Sequence, residues 1–192
     1  MANKLSIVEI NNAKIIGLLF LLAFPAYGFG QYYFENENTK TIGALLLLIN
    51  SVIVISIGFL LRETINQFRP SIAFVYLFTR IYEGILLASV VLNLLTEIRI
   101  FSGLVYFIAM LVLGLGSIPM CLTLFKYRIT PSWLAIWGIV GYALLAFGFL
   151  MELMNLEWSM YFVPLGGLWE ITFGVWLITR KKSQSTHWAK LC

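Results

Sequence analysis

Long apolar runs alternate with short polar segments along the whole chain. Crossing the hydrocarbon core of a bilayer, about 30 Å thick, takes roughly 20 apolar residues in an α-helix. Six runs are of that order, near 14–34, 40–61, 71–96, 103–125, 132–153 and 161–179. They lack the alternation of barrel strands, and backbone groups in lipid must be satisfied internally. The pattern therefore predicts an all-α, polytopic membrane protein, a compact bundle of six transmembrane helices in a single domain spanning 1–192.

The composition agrees with lipid as the main solvent. Hydrophobic residues make up 60% of the chain and charged residues 11%, whereas soluble domains are about a quarter charged. A net charge of +4 does not indicate nucleic-acid binding, because the bases lie between apolar runs. Membrane lipid is therefore the expected partner. The first run is long enough to span, so we interpret it as a membrane helix rather than a cleaved signal.

The distribution of bases predicts which way the chain is inserted. If the N-terminus is inside, only Lys40 and Arg99 lie in external segments, and ten bases lie in cytoplasmic ones. The positive-inside rule then places both termini in the cytoplasm. The polar segment 181–192 is predicted to be a cytoplasmic tail. The cytoplasmic bases are Lys4, Lys14, Arg62, Arg69, Lys126, Arg128, Arg180, Lys181, Lys182 and Lys190.

Three charged residues interrupt the apolar runs. Arg80 and Glu83 lie within the third run and Glu170 within the sixth. A charge at this depth costs at least about 2.5 kcal/mol, so it needs a partner or a watery cavity. Counted from the ends of their runs at about 1.5 Å per residue, the two glutamates reach similar levels close to the bilayer midplane. This coincidence predicts that the three side chains meet.

An arginine can bridge two carboxylates with its planar set of donors. We therefore predict that the third and sixth helices pack together, with Arg80 between Glu83 and Glu170. With both glutamates ionised the trio would carry −1, and repulsion and desolvation would favour a proton on one of them. Such a trio suits a proton-coupled or ligand-binding site, and it suits a purely structural bridge equally well. Nearby polar residues that could support it are Thr79, Tyr82 and Asn50.

Motifs for catalysis are absent from the sequence. It contains no HExxH or other metal-ligand spacing, no phosphate-binding loop and no dinucleotide fingerprint. The single histidine, His187, lies in the polar tail, so a serine nucleophile has no partner within the membrane. The sequence thus predicts no metal and no cofactor, and it argues against an enzyme.

Three segments resemble one family of bacterial membrane proteins, domain of unknown function 4386. They are RIYEGILLASVVLNLL, with Arg80 and Glu83; ITPSWLAIWGIVGYALLAFGFLMEL; and PLGGLWEITFGVWLITRKK, where Glu170 matches the family's glutamate. The similarity extends over about 60–192. The resemblance implies a six-helix protein of the bacterial inner membrane, the plasma membrane, without an assigned activity.

Three functions remain open at this point. The first is a small carrier or ligand-binding membrane protein whose site is built from Arg80, Glu83 and Glu170 and whose ligand is an unidentified small molecule. Arg80 would bind an anionic group or hold the glutamates. The second is a non-catalytic structural or regulatory protein that contacts an unidentified partner through its helices. The third is a metal-independent enzyme that modifies lipid.

Overall fold

The structure, a computed structural model, describes residues 2–96, 102–156 and 159–180. Within these ranges the chain forms six α-helices and no strand, and all six helices are long and apolar enough to cross a membrane. This confirms the predicted all-α architecture. The helices are α1 (Ala2–Glu35), α2 (Lys40–Asn66), α3 (Pro70–Thr96), α4 (Ser102–Lys126), α5 (Ser132–Leu153) and α6 (Ser159–Thr179). The predicted tail, 181–192, lies outside the described residues.

Several helix ends follow from local sequence. Pro70 is the first residue of α3, a position where its missing N–H is not needed. The chain leaves α4 through Arg128 and α5 through Asn155, both in the left-handed region with φ of 50° and 62°. Beyond each, a backbone N–H turns back to the last helical turn, from Ile129 to Leu124 and from Leu156 to Met151. Short connections then make successive helices antiparallel neighbours.

The six helices form a closed ring. Each helix packs on the one before it and the one after it, and α1 packs on α6 to close the ring. Small residues permit this last contact: a Cβ atom added to Gly17 would lie 2.5 Å from the carbonyl oxygen of Gly174. Such close backbone approach is the usual way for helices to associate in lipid.

The two halves of the bundle differ in how they are filled. We call the half that carries the α2–α3 and α4–α5 connections the packed half, because large apolar side chains from all six helices fill its centre. The opposite half, which carries the α1–α2, α3–α4 and α5–α6 connections, encloses a cavity and is called the hollow half. Core residues of the packed half include Ile16, Phe20, Leu61, Ile65, Ala73, Met120, Cys121, Leu134, Phe173 and Leu177.

Candidate functional site

Arg80 is the centre of a hydrogen-bonded cluster in the middle of the bundle. Its Nε donates to the Tyr76 hydroxyl at 2.8 Å, and one terminal nitrogen donates to Glu83 Oε2 at 3.0 Å. The other terminal nitrogen donates to Glu170 Oε1 at 2.7 Å and to the Tyr142 hydroxyl at 3.3 Å. Tyr142 in turn donates to the same Glu170 oxygen at 2.7 Å. These five residues are called the Arg80 network.

The guanidinium is enclosed by aromatic rings and by a close helix contact. Its central carbon lies 5.5 Å from the ring centroid of Phe20 and 5.4 Å from that of Tyr76, within the range of cation–π attraction. A Cβ atom on Gly58 would lie 2.7 Å from the Arg80 Cβ, so α2 approaches α3 closely at this level. Arg80 is consequently only 1% exposed although it carries a full charge.

The structure brings the three predicted charges together, but not by the predicted helix contact. Direct packing of α3 on α6 was expected. Among the described residues, α3 instead packs mainly on α2 and α4, and α6 on α5 and α1. The expectation of adjacent helices was wrong because the long Arg80 side chain reaches across the ring to Glu170. The pairing therefore crosses the interior of the bundle.

The network lies halfway along its helices. Glu83 is the central residue of α3, thirteen residues from Pro70 and from Thr96. Tyr142 and Glu170 lie within two residues of the centres of α5 and α6. If each helix spans the bilayer, the network lies close to the midplane, where the cost of an unpaired charge is greatest.

A central cavity of ≈ 250 Å³ begins at the Arg80 network and extends into the hollow half. Glu83 and Glu170 line its inner end together with Arg80 and Tyr142. Every helix contributes to the wall, which is otherwise mainly apolar. The remaining lining residues are Ala23, Phe24, Tyr27, Asn50, Val54, Ile57, Leu87, Tyr106, Met110, Leu113, Leu145, Val163, Gly166 and Gly167.

Three acceptor atoms at this cavity have no donor. Within the described residues, hydrogen bonds engage only Oε2 of Glu83 and only Oε1 of Glu170, so the second oxygen of each carboxylate accepts none. Asn50 is 2% exposed and its buried Oδ1 also has no partner there. Buried polar groups are normally hydrogen-bonded. The inner end of the cavity therefore presents three acceptors that no described donor engages.

The three predicted supporting residues have different positions. Asn50 lines the cavity beside the two glutamates. Thr79 donates to the carbonyl of Val75 in its own helix and packs against Gly116. Tyr82 is 46% exposed, on an outer face of α3. Only Asn50 of these three therefore reaches the cavity.

Sequence analysis missed the aromatic partners of Arg80. Tyr76 precedes Arg80 by four residues, so helical spacing places both on one face and could have indicated their contact. Phe20 and Tyr142 lie far away in the chain, and no local pattern distinguishes them from other aromatic residues in apolar runs. Their role depends on how the ring of helices closes.

Two tyrosines meet across the hollow half, farther from the midplane than the network. The rings of Tyr27 on α1 and Tyr106 on α4 are stacked, with centroids 5.9 Å apart. These helices are on opposite sides of the ring, and both side chains line the cavity. Gln31 donates to the Tyr27 hydroxyl at 3.1 Å. The Tyr27–Tyr106 pair thus lies between the network and the ends of α1 and α4.

The site presents hydrogen-bonding groups to the cavity. Among the described residues, no group of three or more His, Cys, Asp or Glu side chains could hold a metal ion. Four of the five N–H groups of Arg80 are engaged by Tyr76, Glu83, Tyr142 and Glu170. Arg80 is therefore occupied in holding the glutamates. The site offers free acceptors to whatever enters it.

Comparison with known proteins gives a family match over part of the chain but no activity. Residues 98–180 match the sequence model of a family described as "Domain of unknown function (DUF4386)", which confirms the resemblance seen in the sequence. The match includes Tyr142 and Glu170, whereas Arg80 and Glu83 precede it. Searches of the curated proteins and of the solved structures found no match.

Proposed function

We propose that this protein, whose residues 98–180 match the DUF4386 family model, is a small ligand-binding membrane protein or carrier, and that its site is the inner end of the central cavity. The observation that carries the proposal is the contact of Glu83 and Glu170 with a ≈ 250 Å³ cavity. Binding sites of membrane bundles are built in this way, from polar side chains that face an internal space.

Burial of the network alone does not require a ligand, but its asymmetry favours one. Arg80 is enclosed on the side of the packed half by Tyr76 and Phe20. On the side of the hollow half, both glutamates keep an oxygen free at the cavity. A bridge that served only packing would satisfy both oxygens, since a free buried acceptor costs stability.

The distribution of bases supports an orientation for this site. With both termini in the cytoplasm of a bacterial plasma membrane, the α1–α2, α3–α4 and α5–α6 connections are external. The hollow half then faces outward, and a ligand enters from outside past the Tyr27–Tyr106 pair. One proton bound by Glu83 or Glu170 would make the trio neutral, which provides a route to proton coupling.

Thiol labelling tests whether the cavity admits solutes. Leu113 and Met120 lie two turns apart on one face of α4; the first lines the cavity and the second is fully buried in the packed half. In a Cys192→Ser background, we expect methyl methanethiosulfonate to label Leu113→Cys and to leave Met120→Cys unlabelled, as measured by intact mass of the folded protein. Equal resistance of the two variants would refute an accessible site.

A second function is favoured by the number of bonds around Arg80. Its four hydrogen bonds link α3, α5 and α6, so the network also suits a structural or regulatory protein that needs a fixed helix register. That function predicts a closed cavity and unlabelled Leu113→Cys. It also predicts that Glu83→Gln and Glu170→Gln change stability without changing access to the cavity.

A further inference from the structure

The charges of the Arg80 network do not balance. One guanidinium faces two carboxylates, so the trio carries −1 when both glutamates are ionised. Within the part of the chain that the structure describes, no other Lys, Arg or His side chain lines the central cavity. Because charge at mid-membrane is costly unless neutralised, the cavity has room and electrostatic need for one positive charge.

The free acceptors at the inner end of the cavity also favour a ligand that carries hydrogen-bond donors. Glu83 Oε1 and Glu170 Oε2 are acceptors without donors among the described residues. Asn50 Oδ1 is a third acceptor without a donor. Asn50 is buried and lies on a different helix, α2. A protonated primary amine carries three donors and no acceptor, so it complements the set in charge and in number.

The remaining wall of the central cavity limits the size and polarity of the part of the ligand that does not carry the charge. Beyond the acceptors it is mainly apolar, and it includes the rings of Phe24, Tyr27, Tyr106 and Tyr142. Aromatic faces attract organic cations as well as apolar groups. A volume of ≈ 250 Å³ is at the small end for ligand pockets. The body should therefore be compact and apolar or aromatic.

We infer that the ligand is a small organic monocation, a primary amine on a compact apolar body, whose ammonium group binds Glu83, Glu170 and Asn50. This inference rests on the proposed function, because it names the class of ligand for the same site. Arg80 holds the carboxylates, since four of its five N–H groups are already engaged.

Three probes of similar shape can distinguish the classes of ligand by how well each one protects Leu113→Cys from thiol labelling. Benzylamine, benzyl alcohol and benzoate differ mainly in carrying a positive, a neutral or a negative group. At about ten times its Kd, we expect benzylamine to slow labelling of Leu113→Cys about tenfold, because the rate falls with the fraction of unoccupied sites. Benzyl alcohol and benzoate should leave the rate nearly unchanged.

Variants of single carboxylates test which residues the protection by benzylamine depends on. In the Leu113→Cys background, Glu170→Gln should abolish protection by benzylamine, and Asn50→Leu should weaken it. Glu37→Gln removes a carboxylate on the exposed α1–α2 connection and should leave protection intact. Circular dichroism verifies that each variant retains its helices.

The outcomes separate the inference from the function on which it rests. If Leu113→Cys is labelled but benzylamine gives no protection, or benzoate protects equally well, the amine class is overturned and an accessible site remains. Protection that persists in Glu170→Gln also overturns it, because binding would not depend on the free carboxylate. If Leu113→Cys resists labelling altogether, both proposals fail.

Discussion

The packed and hollow halves are built from the same six helices, yet one is filled and the other is not. In the packed half, Trp169 and Phe173 stack with centroids 4.8 Å apart, and Phe20 meets Phe173 edge-on at 5.6 Å. A cavity there measures ≈ 20 Å³, against ≈ 250 Å³ in the hollow half. Gly166 and Gly167 on α6 leave that second space open.

The comparison explains the position of the charges. The Arg80 network lies where the two halves meet, with aromatic residues on one side and free carboxylate oxygens on the other. In a uniformly packed bundle the same trio would be a structural bridge. Beside a cavity it becomes the binding site that we propose, with unpaired acceptors at the cavity. The following variants test this division, from the largest expected effect to the smallest.

Removal of Arg80, the cation that Glu83 and Glu170 share, should lower the stability of the whole bundle. Arg80→Leu leaves Glu83 and Glu170 without their counter-ion, and breaking a buried pair from one side costs about 3–5 kcal/mol. We expect a large fall in the yield of folded, monodisperse protein and in its unfolding temperature. Adding Glu83→Gln and Glu170→Gln to the same variant should restore much of the yield. A wild-type yield for Arg80→Leu alone would show that the pairing contributes no stability.

Truncation of an apolar side chain should cost more in the packed half. Leu134 and Leu145 lie three turns apart on one face of α5; the first is fully buried in the packed half, and the second lines the cavity. Leu134→Ala should cost about 2 kcal/mol or more. Leu145→Ala should cost clearly less, because its side chain has fewer packed neighbours to lose. Equal losses in a reversible unfolding assay would contradict the division.

An added methyl group can test the close contact beside Arg80. Because a Cβ on Gly58 would meet the Arg80 Cβ at 2.7 Å, Gly58→Ala should push α3 away at a cost of about 1–3 kcal/mol. Gly28→Ala is the control, since nothing among the described atoms lies within 4 Å of its added Cβ. Thermal unfolding of the two variants measures the difference, and equal temperatures would argue that α2 and α3 adjust freely.

Loss of one hydroxyl should have the smallest effect. Tyr142→Phe removes the donor to Glu170 and an acceptor for Arg80, which should cost about 1 kcal/mol, since interhelical bonds in membranes are weak. It should also increase protection by benzylamine, because Glu170 loses one of its two donors, which compete with the ligand for the negative charge of this carboxylate. Tyr82→Phe, on an exposed face, should change neither quantity. Unchanged protection in Tyr142→Phe would indicate that this hydroxyl does not compete with the ligand.

Much of the architecture could be predicted because it depends on local composition. A span needs about twenty apolar residues wherever it lies in the chain, so six runs predicted six helices, and α2–α6 lie close to the predicted ranges. The contact of Arg80 with Glu83 could be predicted for a similar reason, since residues three apart share a helix face. The contact with Glu170 was inferred from cost and depth, not from any pattern linking α3 to α6.

The sequence by itself determined that this protein must cross a membrane and that three charges within it must find partners. Only the tertiary structure decided that the six helices form a ring, that Arg80 reaches across it, and that a cavity remains on one side. The reason is physical: hydropathy and helical spacing act within a segment, whereas a cavity is the space left by side chains from all six helices. Tyr142, Phe20 and the glycines of α6 acquire their roles only when those helices meet.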